Sequence, residues 1–268
     1  MPKRLFLTFI FCFCLLSLNA FNAESELREQ KESDLFVTSQ KADITIVQAK
    51  PEQTPMIYWN KKLCEVKINQ DAPTLTKITI TPLKQNSFLQ KIFFISHGAC
   101  SVKVTVWENK NIFASSEKGD IRLFSVKAKS TKLYTTRGVI EVSDHIGSLS
   151  AETLTNRITV KNLLAPVLNI KTAGGSASAT GIISQINIFN TSANSKLQGA
   201  FENLHFYSSE GDLKAKLLQA PQGPLDIYAH SVSGNIKIEL PAKTALDAAQ
   251  NNIDVRSIYG AADITIGE

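Results

Sequence analysis

Residues 231–238 read Ser-Val-Ser-Gly-Asn-Ile-Lys-Ile and show the pattern that decides the fold: Ser or Thr, two variable residues, Gly or Asn, then alternating apolar and polar residues. The same phrase recurs at intervals of 17 to 26 residues, which is typical of a chain built from similar structural units. Its eight copies begin at Ser116, Thr135, Thr153, Thr172, Thr191, Ser208, Ser231 and Ser257.

Each copy of the phrase predicts a turn followed by a half-buried strand. The alternation places branched apolar side chains on one face of the strand and charges on the other. Glycine reaches positive φ without a Cβ clash, and Asn tolerates it next best, so we expect left-handed backbone at the fourth position. The predicted turn residues are Gly119, Gly138, Asn156, Gly175, Asn194, Gly211, Gly234 and Gly260.

One such strand cannot bury its own apolar face, so the copies are expected to stack and share a core. We therefore predict an all-β fold in which residues 115–268 form a β-solenoid, a β-helix-like stack of coils of about 18–19 residues. Residues 39–114 alternate well but lack regular turns, which predicts an irregular β region. Residues 39–46 nearly copy the phrase, with Ala42 in the glycine place, and are expected to join the same architecture.

The N-terminus has the layout of a secretory signal peptide. Lys3 and Arg4 precede an apolar run over 5–18, and residues 1–20 are predicted to be removed on export. The run is short for a spanning helix, and an uncleaved anchor is the alternative. Residues 21–38 are rich in charge and predict a flexible lead segment. We expect the mature protein in the periplasm, the cell envelope or the medium, with no transmembrane span.

Two cysteines remain after signal removal, Cys64 and Cys100, and an oxidising compartment predicts a disulfide between them. If residues 64–100 formed regular coils, two layers would separate the cysteines by about 9 to 10 Å, beyond the roughly 7 Å that a disulfide spans. Either the bond is absent or the region is not a regular solenoid. We favour the second interpretation, a disulfide-stapled β region over the first coil.

The phrases at 116–123, 208–215 and 231–238 resemble the recurring Thr-x-Ser-Gly-Asp-Ile-x-Val strands of a bacterial "putative adhesin" family of unknown function. The resemblance covers about residues 115–266. It implies an exported or surface-displayed β-solenoid and says almost nothing about activity. Two coils depart from the pattern, because Ala177 and Ala179 replace bulky core residues and the copy at Thr191 is broken.

The sequence contains no hydrolase elbow, phosphate loop, dinucleotide fingerprint or zinc-protease helix, and no cofactor is predicted. His205 and His230 could meet on adjacent coils, but they lack a third ligand, so we predict no metal site. Removing Lys3 and Arg4 lowers the net charge from +5 to +3, which is too weak to indicate nucleic-acid binding.

A row of carboxylates has two interpretations. Asp120, Asp212 and Asp263 share the place after the turn, where they would suit Ca²⁺ or the acid and base of a polysaccharide enzyme. Aspartate also suits this place because its carboxylate bonds turn amides. Other copies of the phrase lack the carboxylate, so we favour the local role.

Three further features are candidates for partner contacts. A basic cluster would suit acidic polysaccharide or anionic lipid, although a solvated strand face is favoured; it comprises Lys127, Lys129, Lys132 and Arg137. Four aromatic residues could stack on sugars but are expected in the core: Phe201, Phe206, Tyr207 and Tyr228. A long spacing also predicts a projecting partner loop, formed by Pro221, Gln222, Gly223 and Pro224.

The leading hypothesis is an exported, non-enzymatic, adhesin-like binding or structural module that acts through the outer face and loops of a solenoid. Its partner would be a surface glycan or another envelope protein. One alternative is a carbohydrate-active enzyme on a β-helix. Another is an envelope assembly component that associates through terminal strands such as residues 262–266.

Overall fold

The computed structural model describes residues 24–26, 34–72, 75–83, 99–221, 223–242, 244 and 251–267. Three predicted features lie partly or wholly outside the described residues. They are the signal peptide (1–20), the lead segment at 21–23 and 27–33, and Gln222 of the partner loop. Within the described part, no helix is long and apolar enough to cross a membrane.

The described chain is all-β, which confirms the predicted class. Its strands are β1 (Glu24–Glu26), β2 (Asp34–Ser39), β3 (Asp43–Gln48), β4 (Met56–Trp59), β5 (Cys64–Ala72), β6 (Leu75–Pro82), β7 (Ser101–Val106), β8 (Lys110–Ser116), β9 (Ile121–Phe124), β10 (Lys127–Thr135), β11 (Ile140–Ser143), β12 (Ile146–Thr153), β13 (Ile158–Thr172), β14 (Ala177–Asn190), β15 (Ser195–Ser208), β16 (Leu213–Leu217), β17 (Asp226–Ser231), β18 (Ile236–Leu240), β19 (Asn252–Ser257) and β20 (Ala262–Ile266).

Parallel strands stack along one axis in a solenoid-like arrangement. One ladder runs through β2, β8, β10, β12, β13, β14, β15, β17 and β19. A second ladder contains β3, β9, β11 and the first halves of β13, β14 and β15, and continues through β16, β18 and β20. Ile140 pairs with Ile158, 18 residues further on, so each coil covers the coil before it.

Apolar and polar residues alternate along the strands, and the apolar side chains point inward and form the core. In β13 the inward side chains include Ile158, Val160, Leu168 and Ile170, each at most 1% exposed. Burying a branched side chain of this size stabilises the fold by about 1.5 to 3 kcal/mol. Because successive coils place apolar residues in the same columns, one continuous core runs the length of the stack.

The first residue of each phrase forms a buried hydroxyl column. The Thr135 hydroxyl accepts a hydrogen bond from the amide of Gly138 at 2.9 Å and donates to the carbonyl of Gly119 on the preceding coil at 3.2 Å. Ser116 bonds Gly119 and Ala42 in the same manner. Both hydroxyls therefore close their own turn and tie that turn to the preceding coil.

The glycines of the phrase are required for a reason other than the predicted one. None of Gly119, Gly138, Gly211 and Gly234 has a φ in the left-handed region, and the glycines with positive φ lie at another corner, at Gly147, Gly181 and Gly199. A Cβ on Gly138 would instead lie 1.9 Å from the carbonyl oxygen of Gly119. The constraint is close approach of one coil to the next, so positive φ was the wrong explanation.

The copy that the sequence placed at Thr191 is shifted by one residue. Asn190, not Thr191, pairs with Thr172 on one side and Ser208 on the other. Ala193 takes the glycine place below Gly211, so Asn194 is not the turn residue that was predicted. Asn190 occupies the hydroxyl position but bonds differently: its amide donates to the Ser195 hydroxyl at 3.0 Å, and its Oδ1 atom is buried without a partner among the described residues. This substitution made the copy unrecognisable in sequence.

The first coil begins earlier than the sequence indicated. Asp34–Ser39, mostly assigned to the flexible lead segment, form β2, in which Leu35 and Val37 are buried. β2 and β3 lie in the same ladders as β8 and β9. The Ser39 hydroxyl accepts the Ala42 amide at 2.8 Å, as in the later turns. The predicted boundary at 114/115 consequently falls inside β8.

Strands β4 to β7 lie on the other side of this first coil. β6 and β7 run parallel to β2 and β3, whereas β5 and β4 turn back antiparallel to β6 and β7. Cys64 at the start of β5 is disulfide-bonded to Cys100 just before β7, with Cα atoms 5.5 Å apart. The antiparallel return brings the cysteines within reach, which two regular coil layers would not.

Candidate functional site

Two of the three aspartates predicted to follow the turns, Asp120 and Asp212, form a hydrogen-bonded ladder. The third prediction was wrong, because Asp263 pairs with Lys237 and Ala261 holds the place after the turn. The Asp120 carboxylate accepts the amide of Val139 at 2.9 Å and contacts Arg122 at 2.7 Å. The Asp212 carboxylate accepts the amide of Asn235 on the next coil at 2.7 Å. Asn194 and Asn235 hold the same place and do the same with their amide oxygens. An uncharged residue can fill this position, so the ladder needs an acceptor oxygen and no charge.

The histidines are not brought together as metal ligands. His205 lies edge-on to Tyr228, and His230 lies edge-on to Tyr207. Among the described residues, no group of three His, Cys, Asp or Glu side chains could hold a metal ion. His145 is buried with its Nδ1 atom 2.7 Å from the Val126 carbonyl oxygen. Burial lowers its pKa, while hydrogen bonds with the backbone of Val126 and Ser148 act in the opposite direction.

A half-exposed aromatic column runs across the later coils of the first ladder. Phe189, Tyr207, His230 and Arg256 lie in register on β14, β15, β17 and β19. The rings of Phe189 and Tyr207 are within 4° of parallel, with centroids 5.6 Å apart. Their side chains remain 47% and 43% exposed, so much of this apolar surface faces solvent.

This column is one wall of a groove that we call the axial groove. The opposite wall consists of turn residues, including the exposed Val232 and Ile258, and the floor consists of Ser208 and Ser231. This part of the groove has a volume of about 420 Å³. A second hollow shares Phe189 and Asn190 and extends it towards Glu152, Leu154 and Lys171.

The register gives the length and direction of the axial groove. The wall that contains the aromatic column begins at Glu152, passes through Lys171 and Phe189, and ends at Arg256, on six successive coils. At about 4.8 Å per step the wall is about 24 Å long. The groove therefore runs across the strands, parallel to the axis of the stack.

The charges along the groove wall are paired. Lys171 lies 3.2 Å from Glu152 at one end, and Arg256 lies 2.5 Å from Asp254 at the other. The second carboxylate oxygen of Asp254 is 3.3 Å from Nε2 of His230. Because each acid has a basic neighbour, the groove carries little net charge, and its central part offers rings and hydroxyls.

The four aromatic residues singled out in the sequence divide between core and surface. Phe201 and Phe206 are buried, as core packing predicts. Tyr207 lines the axial groove, and Tyr228 lies in the neighbouring outward column, where its hydroxyl contacts the Asn252 side chain. Two of the four are therefore on the outer face.

The basic cluster and the predicted loop lie elsewhere. Lys127, Lys129, Lys132 and Arg137 are exposed on β10 and the following turn, and Lys127 is 3.6 Å from Glu108. Pro221 lines a different hollow, beside Phe201 and the 59% exposed Ile182. Gly223 and Pro224 are exposed. None of these residues borders the axial groove.

The groove could not be recognised from the sequence because its wall comes from residues 18 to 26 positions apart. Phe189 was not predicted as a binding residue because it lies in an ordinary strand-like alternation. The phrase of its coil was also assigned one residue too late in the sequence. The only available signal was an aromatic or imidazole side chain one residue before the hydroxyl column, as in Phe189, Tyr207 and His230. Once Asn190 is aligned with Thr172 and Ser208, a ring directly precedes the hydroxyl position in three successive coils.

Comparison with solved structures finds the same fold in one distant protein, and two further structures match more weakly. A "putative adhesin" from Parabacteroides merdae is 13% identical and superposes with a TM-score of 0.56, covering 94% of this chain and 98% of that one. A "putative adhesin" from Parabacteroides distasonis is 13% identical, with a TM-score of 0.44 and coverage of 92% and 95%. A "putative lipid binding protein" from the same species is 14% identical, with a TM-score of 0.34 and coverage of 94% and 98%.

No curated protein matches this chain. The family model described as Toastrack DUF4097 matches residues 32–264, which include every strand from β2 to β19 and most of β20. This match confirms the predicted resemblance to an adhesin-like family of unknown function. The chain belongs to the Toastrack DUF4097 family.

Proposed function

We propose that this protein is an exported, non-enzymatic binding module that holds its partner in the axial groove. The observation that carries the proposal is the pair of stacked, half-exposed rings of Phe189 and Tyr207 beside a groove that crosses several coils. Exposed aromatic surface of this kind is typical of interaction sites. The signal-like residues 1–20 and the adhesin descriptions of similar structures support a place outside the cytoplasm.

A non-enzymatic role is supported by how the carboxylates are used. Asp120 and Asp212 accept backbone amides from the next coil, and asparagine serves equally at neighbouring positions. A catalytic pair would need carboxylates directed at a substrate. The axial groove instead has the character of a binding surface.

The test is attachment of the mature protein to cell-envelope material from the organism that encodes it. We expect the wild-type chain to bind and the double variant Phe189→Ala/Tyr207→Ala to lose binding by at least about tenfold. Phe36→Ala is the matched control, because Phe36 is 38% exposed and also lies in an aromatic pair, with Phe113, outside the groove. Equal binding by all three proteins would contradict the proposal.

Assembly through strand edges is a second candidate. β20 pairs with β18 on one side and, among the described residues, with no strand on the other. Ile264 and Ile266 on this strand are 40% and 49% exposed. An exposed apolar strand edge can accept a strand from another chain. Sedimentation of the exported protein as a strict monomer across its working concentrations would remove this candidate.

A further inference from the structure

We infer that the ligand of the axial groove is an uncharged glycan chain lying parallel to the axis of the stack. The inference rests on the proposed function and specifies its ligand class. It follows from three properties of the groove: its extended shape, its paired charges and the side-chain chemistry of its walls.

The shape indicates a linear polymer. The groove crosses six coils over about 24 Å, far more than one small molecule requires. Its two hollows are adjacent, because Phe189 and Asn190 line both of them. A chain lying in this groove would pass Lys171, Phe189, Tyr207 and His230 in that order.

The charge distribution favours an uncharged ligand over a polyanion. A groove that binds nucleic acid or an acidic polymer presents unpaired basic side chains along its length. Here Lys171 is opposed by Glu152, and Arg256 is opposed by Asp254. Displacing either acid would leave an unpaired carboxylate beside the anionic ligand. A neutral ligand meets no such penalty.

The wall chemistry favours a sugar over an extended peptide. The strands beneath the groove are paired with a parallel neighbour on both sides through β17, so they offer a peptide no free edge for added strand pairing. Sugar rings combine apolar C–H faces with hydroxyl rims. The rings of Phe189 and Tyr207 can pack against the apolar C–H faces of a sugar. The Ser209 hydroxyl and the His230 imidazole lie beside them and can hydrogen-bond to the sugar hydroxyls.

The experiment measures binding of immobilised neutral hexasaccharides whose sugars carry vicinal diols, namely cellohexaose, xylohexaose and mannohexaose, with heparin as the anionic probe. We expect at least one neutral hexasaccharide to bind more tightly than its disaccharide and than heparin. Phe189→Ala and Tyr207→Ala should each weaken binding about tenfold, whereas Phe36→Ala should not. Raising salt from about 0.1 M to about 1 M shortens the Debye length from about 10 Å to about 3 Å and should leave affinity within about twofold.

Preference for heparin, failure of all three neutral hexasaccharides, or unchanged binding by the groove variants would overturn the inference. Periodate treatment of envelope material, which cleaves sugar diols, separates this failure from failure of the proposed function. If the groove variants lose attachment to material that still binds after periodate, the groove is a binding site but its ligand is not a glycan. If they attach like wild type, the proposed function fails as well.

Discussion

A Cβ on Gly175 would lie 1.7 Å from the carbonyl oxygen of Asn156 on the preceding coil. On the adjacent Gly174, the nearest heavy atom to an added Cβ is the Leu154 carbonyl oxygen, 3.9 Å away. Two neighbouring glycines in one turn thus differ completely in what they tolerate. Comparing a substitution at Gly175 with the same substitution at Gly174 therefore tests the contact between coils separately from other properties of the turn.

We therefore expect Gly175→Ala to lower the free energy of unfolding by about 2 to 4 kcal/mol, because a backbone oxygen cannot move aside without shifting a coil. Gly174→Ala should change it by less than about 0.5 kcal/mol. Urea denaturation of both variants measures the difference. Equal effects would mean that the coils are not packed at the distance described.

The buried hydroxyl of Thr135 gives a second prediction. Thr135→Val keeps the shape of the side chain but leaves the Gly138 amide and the Gly119 carbonyl without this partner. We expect a loss of about 1 to 3 kcal/mol in unfolding free energy. Thr135→Ser, which retains the hydroxyl as in Ser116 and Ser208, should lose less. A Val variant as stable as the Ser variant would show that the hydroxyl column contributes nothing.

The repeat was predictable because each coil carries its own turn and strand signals. Hydroxyl and glycine positions follow from local chemistry, and stacking follows because a single strand cannot bury its apolar face. The prediction failed where a different side chain occupied the expected position, as Asn190 does in the hydroxyl column. It also failed for β2, because the charges around it concealed the buried pair Leu35 and Val37.

The axial groove was less accessible to sequence reasoning. Outward side chains such as Phe189 and Tyr207 become neighbours only when the register between coils is known. A one-residue error in that register moves a side chain from the outer face to the core. The basic cluster at 127–137, by contrast, was conspicuous because it is contiguous in sequence, and the structure leaves it exposed outside the axial groove.

The carboxylate ladder predicts that charge is dispensable at Asp212. Asp212→Asn keeps an acceptor for the Asn235 amide and should change the free energy of unfolding by less than about 0.5 kcal/mol. Asp212→Ala removes the acceptor and should cost about 0.5 to 1.5 kcal/mol. Thermal and urea unfolding would compare the two. If the Asp212→Asn variant folded normally but was destabilised, the negative charge of the aspartate ladder would contribute to stability.

The disulfide should stabilise the N-terminal strands in particular. Replacing Cys64 and Cys100 together by Ser releases a loop of 36 residues and should cost about 3 to 4 kcal/mol on the chain-entropy model. Hydrogen exchange should accelerate in β5 to β7 and change little in β13 to β15, which pair with the strands of neighbouring coils. Uniform acceleration along the stack would show that the staple instead controls global unfolding.

His145 should make stability depend on pH. Burial lowers its folded pKa below the ordinary value of 6.5, so the unfolded chain takes up the proton first as pH falls. The contribution of neutral His145 is fully present above pH 6.5 and is lost as pH falls through the folded pKa, by at most about 1.4 kcal/mol per pH unit.

The check is the free energy of unfolding of wild type and His145→Asn, measured across this pH range. The other histidines are common to both proteins, so their contributions cancel in the difference. We expect the wild-type curve to fall more steeply below pH 6.5, because only wild type must bury or expel the extra proton at this corner. Parallel curves would mean that the imidazole can be charged in place, which the burial of the ring argues against.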